Sequence, residues 1–153
     1  LLAASLKIGA RLGGASVEDA DRLYDFGMHI GVAFQLKDDL LDVYGNAKVF
    51  GKNIGGDILC NKKTYMLIKA LEHANADQHN QLNSWINAET FQPAEKIAAV
   101  TELYDRIGVK AVCENKILEY SNRAMESLAA VSIAEEKKEE LKKIIENLIH
   151  REV

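Results

Sequence analysis

Apolar side chains recur at helical spacing along almost the whole chain. From Gly31 to Tyr44 they cover most of the helix circumference, which is typical of a helix buried among other helices. The chain contains a single proline, Pro93, and proline suits the first turn of a helix. The pattern therefore predicts an all-α fold, a helical bundle. The predicted helices cover residues 2–11, 17–44, 62–74, 77–86, 93–107, 109–130 and 134–150.

Two charged segments are predicted to lie in solvent. Ser16 and Asp19 have the spacing of a capping box, and the acids Glu18, Asp19 and Asp21 suit the positive end of the helix that follows. The second segment, residues 135–140, reads EEKKEE and opens the last helix, whose apolar residues lie on another side. We expect the charged side chains of both segments to be solvated.

Length, charge and cysteine content narrow the class of protein. With 153 residues and 17.0 kDa, and with no internal repeat or linker, a single helical domain over residues 1–153 is expected. The net charge of −4 argues against a nucleic-acid partner. Cys60 and Cys113 form no CxxC pair, which favours a reducing, cytoplasmic environment.

The chain is not expected to span a membrane, because no apolar run approaches the roughly 18 residues that a span requires. Its helical pattern is already running at Leu1, and no methionine precedes it. We therefore expect the chain to be the later part of a larger protein.

Three carboxylates stand inside the most apolar helix, at Asp38, Asp39 and Asp42. Asp38 and Asp42 are four residues apart and share a helix face, where like charges repel. Lys37 has no acid three or four residues later, so positive charge must come from outside this helix. Grouped carboxylates suit hard cations, and Mg²⁺ in particular combines one or two carboxylates with water and substrate phosphate.

The loop that follows, residues 45–61, supplies the features that a phosphate needs. Gly51, Gly55 and Gly56 allow the backbone to approach a ligand closely. Lys52 and Lys62 offer compact positive charges. The acidic helix and this loop together predict a metal and diphosphate site.

Three segments in this order, FQLKDDLLDVYG, GKNIGGD and NKKTY, resemble the trans-isoprenyl diphosphate synthases, the polyprenyl synthetase family that includes farnesyl and geranylgeranyl diphosphate synthases. The resemblance is sharp from Gly31 to Tyr65. It implies that the chain forms the C-terminal portion of the isoprenoid synthase fold. It also implies a homodimer, as is usual for members of the family.

The resemblance also implies roles for single residues. The substrates would be isopentenyl diphosphate and an allylic diphosphate, with Mg²⁺ as cofactor. Phe34 and Gln35 match the FQ pair that precedes the DDxxD motif, and Asp57 matches the aspartate of the GKxxGxD loop. The implied metal ligands are Asp38, Asp39 and Asp42, the implied catalytic residues are Asp38, Asp39 and Lys52, and the implied substrate-binding residues are Phe34, Gln35, Lys52, Asp57 and Lys62.

The implied reaction is metal-assisted ionisation of the allylic diphosphate, attack by the double bond of isopentenyl diphosphate and loss of a proton. The family's first aspartate-rich motif is missing from this chain, so we expect the complete parent enzyme to be active and these 153 residues alone to have little or no activity. Two alternatives remain open. The chain could be a non-catalytic subunit of a heteromeric prenyl synthase, or a helical interaction protein that binds cations.

Overall fold

The computed structural model describes residues 1–45 and 54–150, with only the backbone described for Ile149 and His150. All regular secondary structure in these ranges is helical, which confirms the predicted all-α fold. A 3₁₀ turn, Glu135–Lys137, precedes the last helix. The helices are α1 Leu2–Leu12, α2 Val17–Tyr44, α3 Gly56–Leu59, α4 Tyr65–His73, α5 Ala76–Ile86, α6 Pro93–Ile107, α7 Val109–Ala129 and α8 Glu139–His150.

The ends of α1 and α2 fall where the sequence predicts them. Gly13 caps the C-terminus of α1 and its N–H donates to Gly9. Ser16 Oγ accepts the backbone N–H of Asp19 at 3.0 Å and so caps α2. α2 then runs for 28 residues without a break. Within the described ranges, no helix combines the length and apolar character that crossing a bilayer would take.

The prediction that Asp19 lies in solvent is wrong. Its carboxylate is buried and accepts the backbone N–H of Ser132 at 2.9 Å, while Arg22 donates to the same oxygen at 3.1 Å. These contacts lower the pKa of Asp19, chiefly through the hydrogen bond from Ser132. The side chain therefore ties the start of α2 to a residue 113 positions away, which a local capping pattern could not reveal.

The chain forms two compact units. The first contains Leu1–Lys37 together with the segment from Lys116 to the end of α8. The start of α1 packs closely on α2 at Gly27, where an added Cβ would lie 2.6 Å from the Ala3 Cα and 2.9 Å from the Leu6 Cδ1. The buried apolar side chains of this unit include Phe26, Ile30, Ala33, Ala124, Leu128, Ile145 and Leu148.

We expect Gly27→Ala to lower the free energy of unfolding by about 2 kcal/mol, because the new methyl group overlaps the backbone of Ala3. Gly31 lies one turn later on α2 with no atom within 4 Å of an added Cβ. Gly31→Ala is the matched control and should raise the same free energy by up to about 1 kcal/mol through helix propensity. Urea unfolding of both variants measures the difference. Equal effects of the two substitutions would contradict the described packing of α1 on α2.

The predicted solvation of residues 135–140 is wrong for Lys138, which is only 2% exposed. Its Nζ donates to the Ala129 carbonyl at 3.0 Å and to Glu135 Oε1 at 2.8 Å. Lys142 donates to the other Glu135 oxygen at 2.9 Å. The lysine is buried because it satisfies the last carbonyl of α7 and has a carboxylate as counter-ion.

This arrangement predicts acid-dependent stability in the first unit. The hydrogen bonds from Lys138 and Lys142 lower the pKa of Glu135 from 4.5 to about 2. A carboxylate with a lowered pKa stabilises the fold above its ordinary pKa, and that contribution is lost as the pH falls from about 4.5 towards 2. Wild type should therefore lose more stability between pH 6 and pH 3 than Glu135→Gln, measured by thermal unfolding. Glu136→Gln, in the same turn, is the matched control and should follow wild type.

The second unit contains Asp38–Asn115. α6 packs against α3, α4 and α5 and so forms the centre of this unit. Its buried apolar side chains include Leu40, Leu41, Met66, Ala70, Leu82, Val100 and Leu103. The C-terminal end of α2, which carries the three predicted metal ligands, belongs to this unit.

Candidate functional site

The last two turns of α2 hold the acidic motif. Asp39 is 7% exposed, whereas Asp38 and Asp42 are partly exposed. Leu40 and Leu41 between them are buried in the core of the second unit, and they fix the rotation of the helix. The sequence therefore places three carboxylates at the edge of an apolar core, where each ionised group needs a partner.

Lys62 supplies positive charge to this edge from outside α2. Its Nζ lies 3.0 Å from Asp39 Oδ1 and 2.8 Å from Asp57 Oδ2. Hydrogen bonds to Asp57 and Asp39 raise the pKa of Lys62, so the side chain is an ammonium ion near neutral pH. The predicted need for an external cation is thus confirmed for Asp39.

Asp42 anchors the loop where it returns to α2. Its backbone carbonyl accepts the N–H of Gly55 at 2.6 Å, and its Oδ2 accepts the N–H of Asp57 at 2.8 Å. Burial raises the pKa of Asp42 against the opposing effect of the Asp57 hydrogen bond. This side chain therefore holds the first turn of α3 in place, in addition to any role towards a ligand.

Local backbone geometry explains how Asp57 and Lys62 come to meet. Gly55, at the N-cap of α3, has φ +86°, and its Cα faces Ile97, so that an added Cβ would lie 2.7 Å from that side chain. After α3 the N–H of Lys62 donates to the Asp57 carbonyl at 2.9 Å. Thr64 then caps α4 by accepting the N–H of Leu67. The backbone of Lys62 is therefore held between α3, which precedes it, and the start of α4, which follows it.

Sequence reasoning missed the support beneath this segment. Asn61, at φ +51°, donates to the Ile86 carbonyl at 2.9 Å and accepts from the buried Lys96 at 2.8 Å. Lys96 Nζ also lies 4.2 Å from the centre of the Phe91 ring, and burial lowers its pKa. These residues join the end of α3 to α5 and α6. The pairs are 25 and 35 residues apart, so no local pattern indicates them.

The end of α2 has a second support that the sequence did not reveal. Tyr44 donates its hydroxyl hydrogen to Asp105 Oδ1 at 2.8 Å, and Lys110 Nζ lies 4.8 Å from the centre of the Tyr44 ring. Burial and the Asp105 contact raise the pKa of Tyr44. This contact fixes the turn of α2 that carries Asp42.

The other predicted site residues are placed as follows. Phe34 and Gln35 lie on the exposed surface of α2 in the first unit, one turn before Asp38 and Asp39 in the sequence. Phe34 is 48% exposed and lines an open apolar groove of about 440 Å³ with Leu2, Ile30 and Ile144. Lys52 lies outside the described residues.

The carboxylates at the end of α2 provide part of a ligand set for a hard divalent cation. All three ligands predicted from the sequence are carboxylates, and Asp42 also accepts a hydrogen bond from the backbone of α3. Within residues 1–45 and 54–148, no three His, Cys, Asp or Glu side chains converge as a ready metal cage. Mg²⁺ suits such a site because it commonly binds one or two carboxylates and takes its other ligands from water and phosphate.

The family follows from comparison with known proteins. The sequence pattern of the family described as polyprenyl synthetase matches residues 1–104. The chain belongs to the polyprenyl synthetase family. The family resemblance seen in the three motifs is therefore confirmed.

Relatives of this polyprenyl synthetase chain are similar over almost all of its length. A short chain isoprenyl diphosphate synthase from Methanothermobacter thermautotrophicus is 33% identical over 99% of this chain and 46% of the relative. A solved geranylgeranyl pyrophosphate synthase matches with TM-score 0.90 and 32% identity, over 99% of this chain and 47% of that one.

A third relative was solved with ligands. The geranylgeranyl pyrophosphate synthase of Corynebacterium glutamicum, complexed with isoprenyl diphosphate and magnesium, matches with TM-score 0.82 and 31% identity over 94% of this chain and 40% of that one. The chain thus spans about half the length of the relatives it matches.

Proposed function

We propose that this chain forms the part of a prenyltransferase active site that binds Mg²⁺ and diphosphate. The complete enzyme would condense isopentenyl diphosphate with an allylic diphosphate. The observation that carries the proposal is the cluster of Asp39, Asp57 and Lys62 beside Asp38 at the end of α2. Membership of a family whose relatives are named isoprenyl diphosphate synthases supports it.

Asp38, Asp39 and Asp42 would hold Mg²⁺. Magnesium supplies a Lewis acid that stabilises the negative charge gathering on the departing diphosphate. Such an ion would take some of its ligands from these carboxylates and the others from phosphate. Asp42 would contribute one carboxylate oxygen, while its other oxygen, Oδ2, accepts the N–H of Asp57 in α3.

The chain's own residues would bind and position the diphosphates. Lys62 donates hydrogen bonds to diphosphate oxygens, and Asp57 positions the ammonium group by accepting one of its hydrogens. Lys52 is proposed for a second contact with diphosphate. Gln35 and Phe34 would also contact substrate, as the family resemblance implies.

The test is turnover by the complete polypeptide that carries this chain. Incubated with Mg²⁺, isopentenyl diphosphate and geranyl diphosphate, it should form prenyl diphosphates longer by whole isoprene units, identified by mass spectrometry. The 153 residues alone should give little or no product. Absence of lengthened product from the complete polypeptide would contradict the proposal, and multiple turnover by the 153 residues would contradict the second expectation.

Several broader expectations stay predictions. They are the single helical domain over residues 1–153, its place as the C-terminal portion of a longer enzyme, the homodimer and the cytoplasmic location. A non-catalytic subunit would differ from the proposed enzyme by forming lengthened product only when mixed with an active partner. A helical interaction protein would bind divalent cations no more tightly in the presence of diphosphate.

A further inference from the structure

The ammonium group of Lys62 lies at hydrogen-bond distance from one carboxylate oxygen of Asp39. Lys62 Nζ lies 3.0 Å from Asp39 Oδ1. The two groups differ in their freedom, because the Asp39 side chain is 9% exposed and the Lys62 side chain is 47% exposed. Burial on α2 restricts the Asp39 carboxylate, whereas about half of the Lys62 side chain is exposed to solvent.

A divalent cation on the same oxygen would meet this ammonium group. Mg²⁺ binds carboxylate oxygens at about 2.0–2.1 Å. With Lys62 at its present distance, the two positive charges would lie within about 5 Å of each other, where they repel strongly in a partly buried site. Lys62 must therefore weaken its contact with Asp39 when a cation binds that oxygen.

The Lys62 side chain can exchange one hydrogen-bond acceptor for another while its backbone stays in place. Its N–H donates to the Asp57 carbonyl, and its ammonium also contacts Asp57 Oδ2 at 2.8 Å. A lysine side chain is a flexible four-carbon stem with three donors, so it can keep one carboxylate and exchange the other for a new acceptor. A diphosphate oxygen is an acceptor of the required charge.

We propose that Lys62 and a divalent cation compete for Asp39, and that diphosphate relieves the competition by drawing Lys62 to itself, so that cation and diphosphate bind cooperatively. This inference rests on the proposed function, because it takes Asp39 as a metal ligand. It adds a coupling between the two ligands, and thermodynamic linkage requires that coupling to be reciprocal.

The experiment measures Mn²⁺ binding to the full chain by equilibrium dialysis, with and without inorganic diphosphate on both sides of the membrane. Lys62→Gln should bind Mn²⁺ alone about tenfold more tightly than wild type, within the range of typical coupling. The increase in Mn²⁺ affinity that diphosphate causes in wild type should fall by a similar factor. Lys62→Arg keeps the charge and should retain most of the wild-type coupling.

Lys63→Gln is the matched control, since it removes one positive charge from the adjacent exposed residue. It should leave both the Mn²⁺ affinity and its enhancement by diphosphate within about twofold of wild type, and so separates competition at Asp39 from a general change in charge. Circular dichroism confirms that each variant keeps its helical content.

Two negative outcomes are distinguishable. If wild type binds no Mn²⁺ even with diphosphate, the proposed metal site fails and the coupling fails with it. If wild type shows the enhancement while Lys62→Gln binds Mn²⁺ alone no more tightly than wild type, the competition is refuted and the proposed metal site stands. Equal effects of Lys62→Gln and Lys63→Gln would also refute it.

Discussion

Replacing Asp38 by asparagine is expected to lower the turnover of the complete enzyme at least about a hundredfold. The substitution keeps the size of the side chain and removes the negative charge that would hold Mg²⁺. A positioned metal ion contributes several kcal/mol of transition-state stabilisation, and each factor of ten in rate corresponds to about 1.4 kcal/mol. The effect should appear in kcat more than in the unfolding free energy.

Steady-state kinetics with isopentenyl and geranyl diphosphates measures this effect. Asp77→Asn is the matched control, because Asp77 is an exposed acid in the first turn of α5 that accepts a hydrogen bond from Gln81. It should retain turnover within about twofold of wild type. Asp38→Asn turnover at the control level, with normal dependence on Mg²⁺, would remove Asp38 from the metal site.

Gly55→Ala is expected to lower the free energy of unfolding by about 3 kcal/mol. An alanine at φ +86° costs about 1–2 kcal/mol, and its methyl group would lie 2.7 Å from the Ile97 side chain, which adds the cost of overpacking. Displacement of Gly55 would also disturb the hydrogen bonds by which Asp42 holds the backbone of residues 55 and 57.

Gly108→Ala separates these two costs. Gly108 has φ +83° in the same unit, with no atom within 4 Å of an added Cβ. It should lose only about 1–2 kcal/mol, from backbone strain. Urea unfolding of both variants gives the comparison. Equal losses would show that Ile97 yields to the new methyl group without cost.

Apart from α3, which lies inside the segment predicted to be a loop, the helices of the described residues could be predicted from the sequence because their signals are local. The glycine pair after α1, Ser16 at the start of α2 and Pro93 at the start of α6 each act within one turn. The acidic motif was predictable for the same reason, since Asp38 and Asp42 are a fixed number of residues apart on one helix. The sequence also predicted that a positively charged group from outside α2 must lie near the motif, because the carboxylates of the motif repel one another.

The contacts that hold the site together could not be predicted, because they join residues far apart in the chain. Lys62 reaches Asp39 over 23 positions, and Asp42 binds the N–H of Asp57 over 15 positions. The burial of Lys138 likewise depends on the end of α7, which meets it only in the fold. The spacing of residues along the sequence assigns each of these residues to a helix face or a loop. It does not identify the residue that each of them contacts in the fold.

The central claim is that the end of α2 binds diphosphate through Mg²⁺. Isothermal titration calorimetry of this chain with geranyl diphosphate, in Mg²⁺ and again in EDTA, tests it most directly. The account predicts binding that requires Mg²⁺ and is lost when Asp38 and Asp39 are both replaced by asparagine. Equal affinity in EDTA, or undiminished affinity in the double variant, would contradict it.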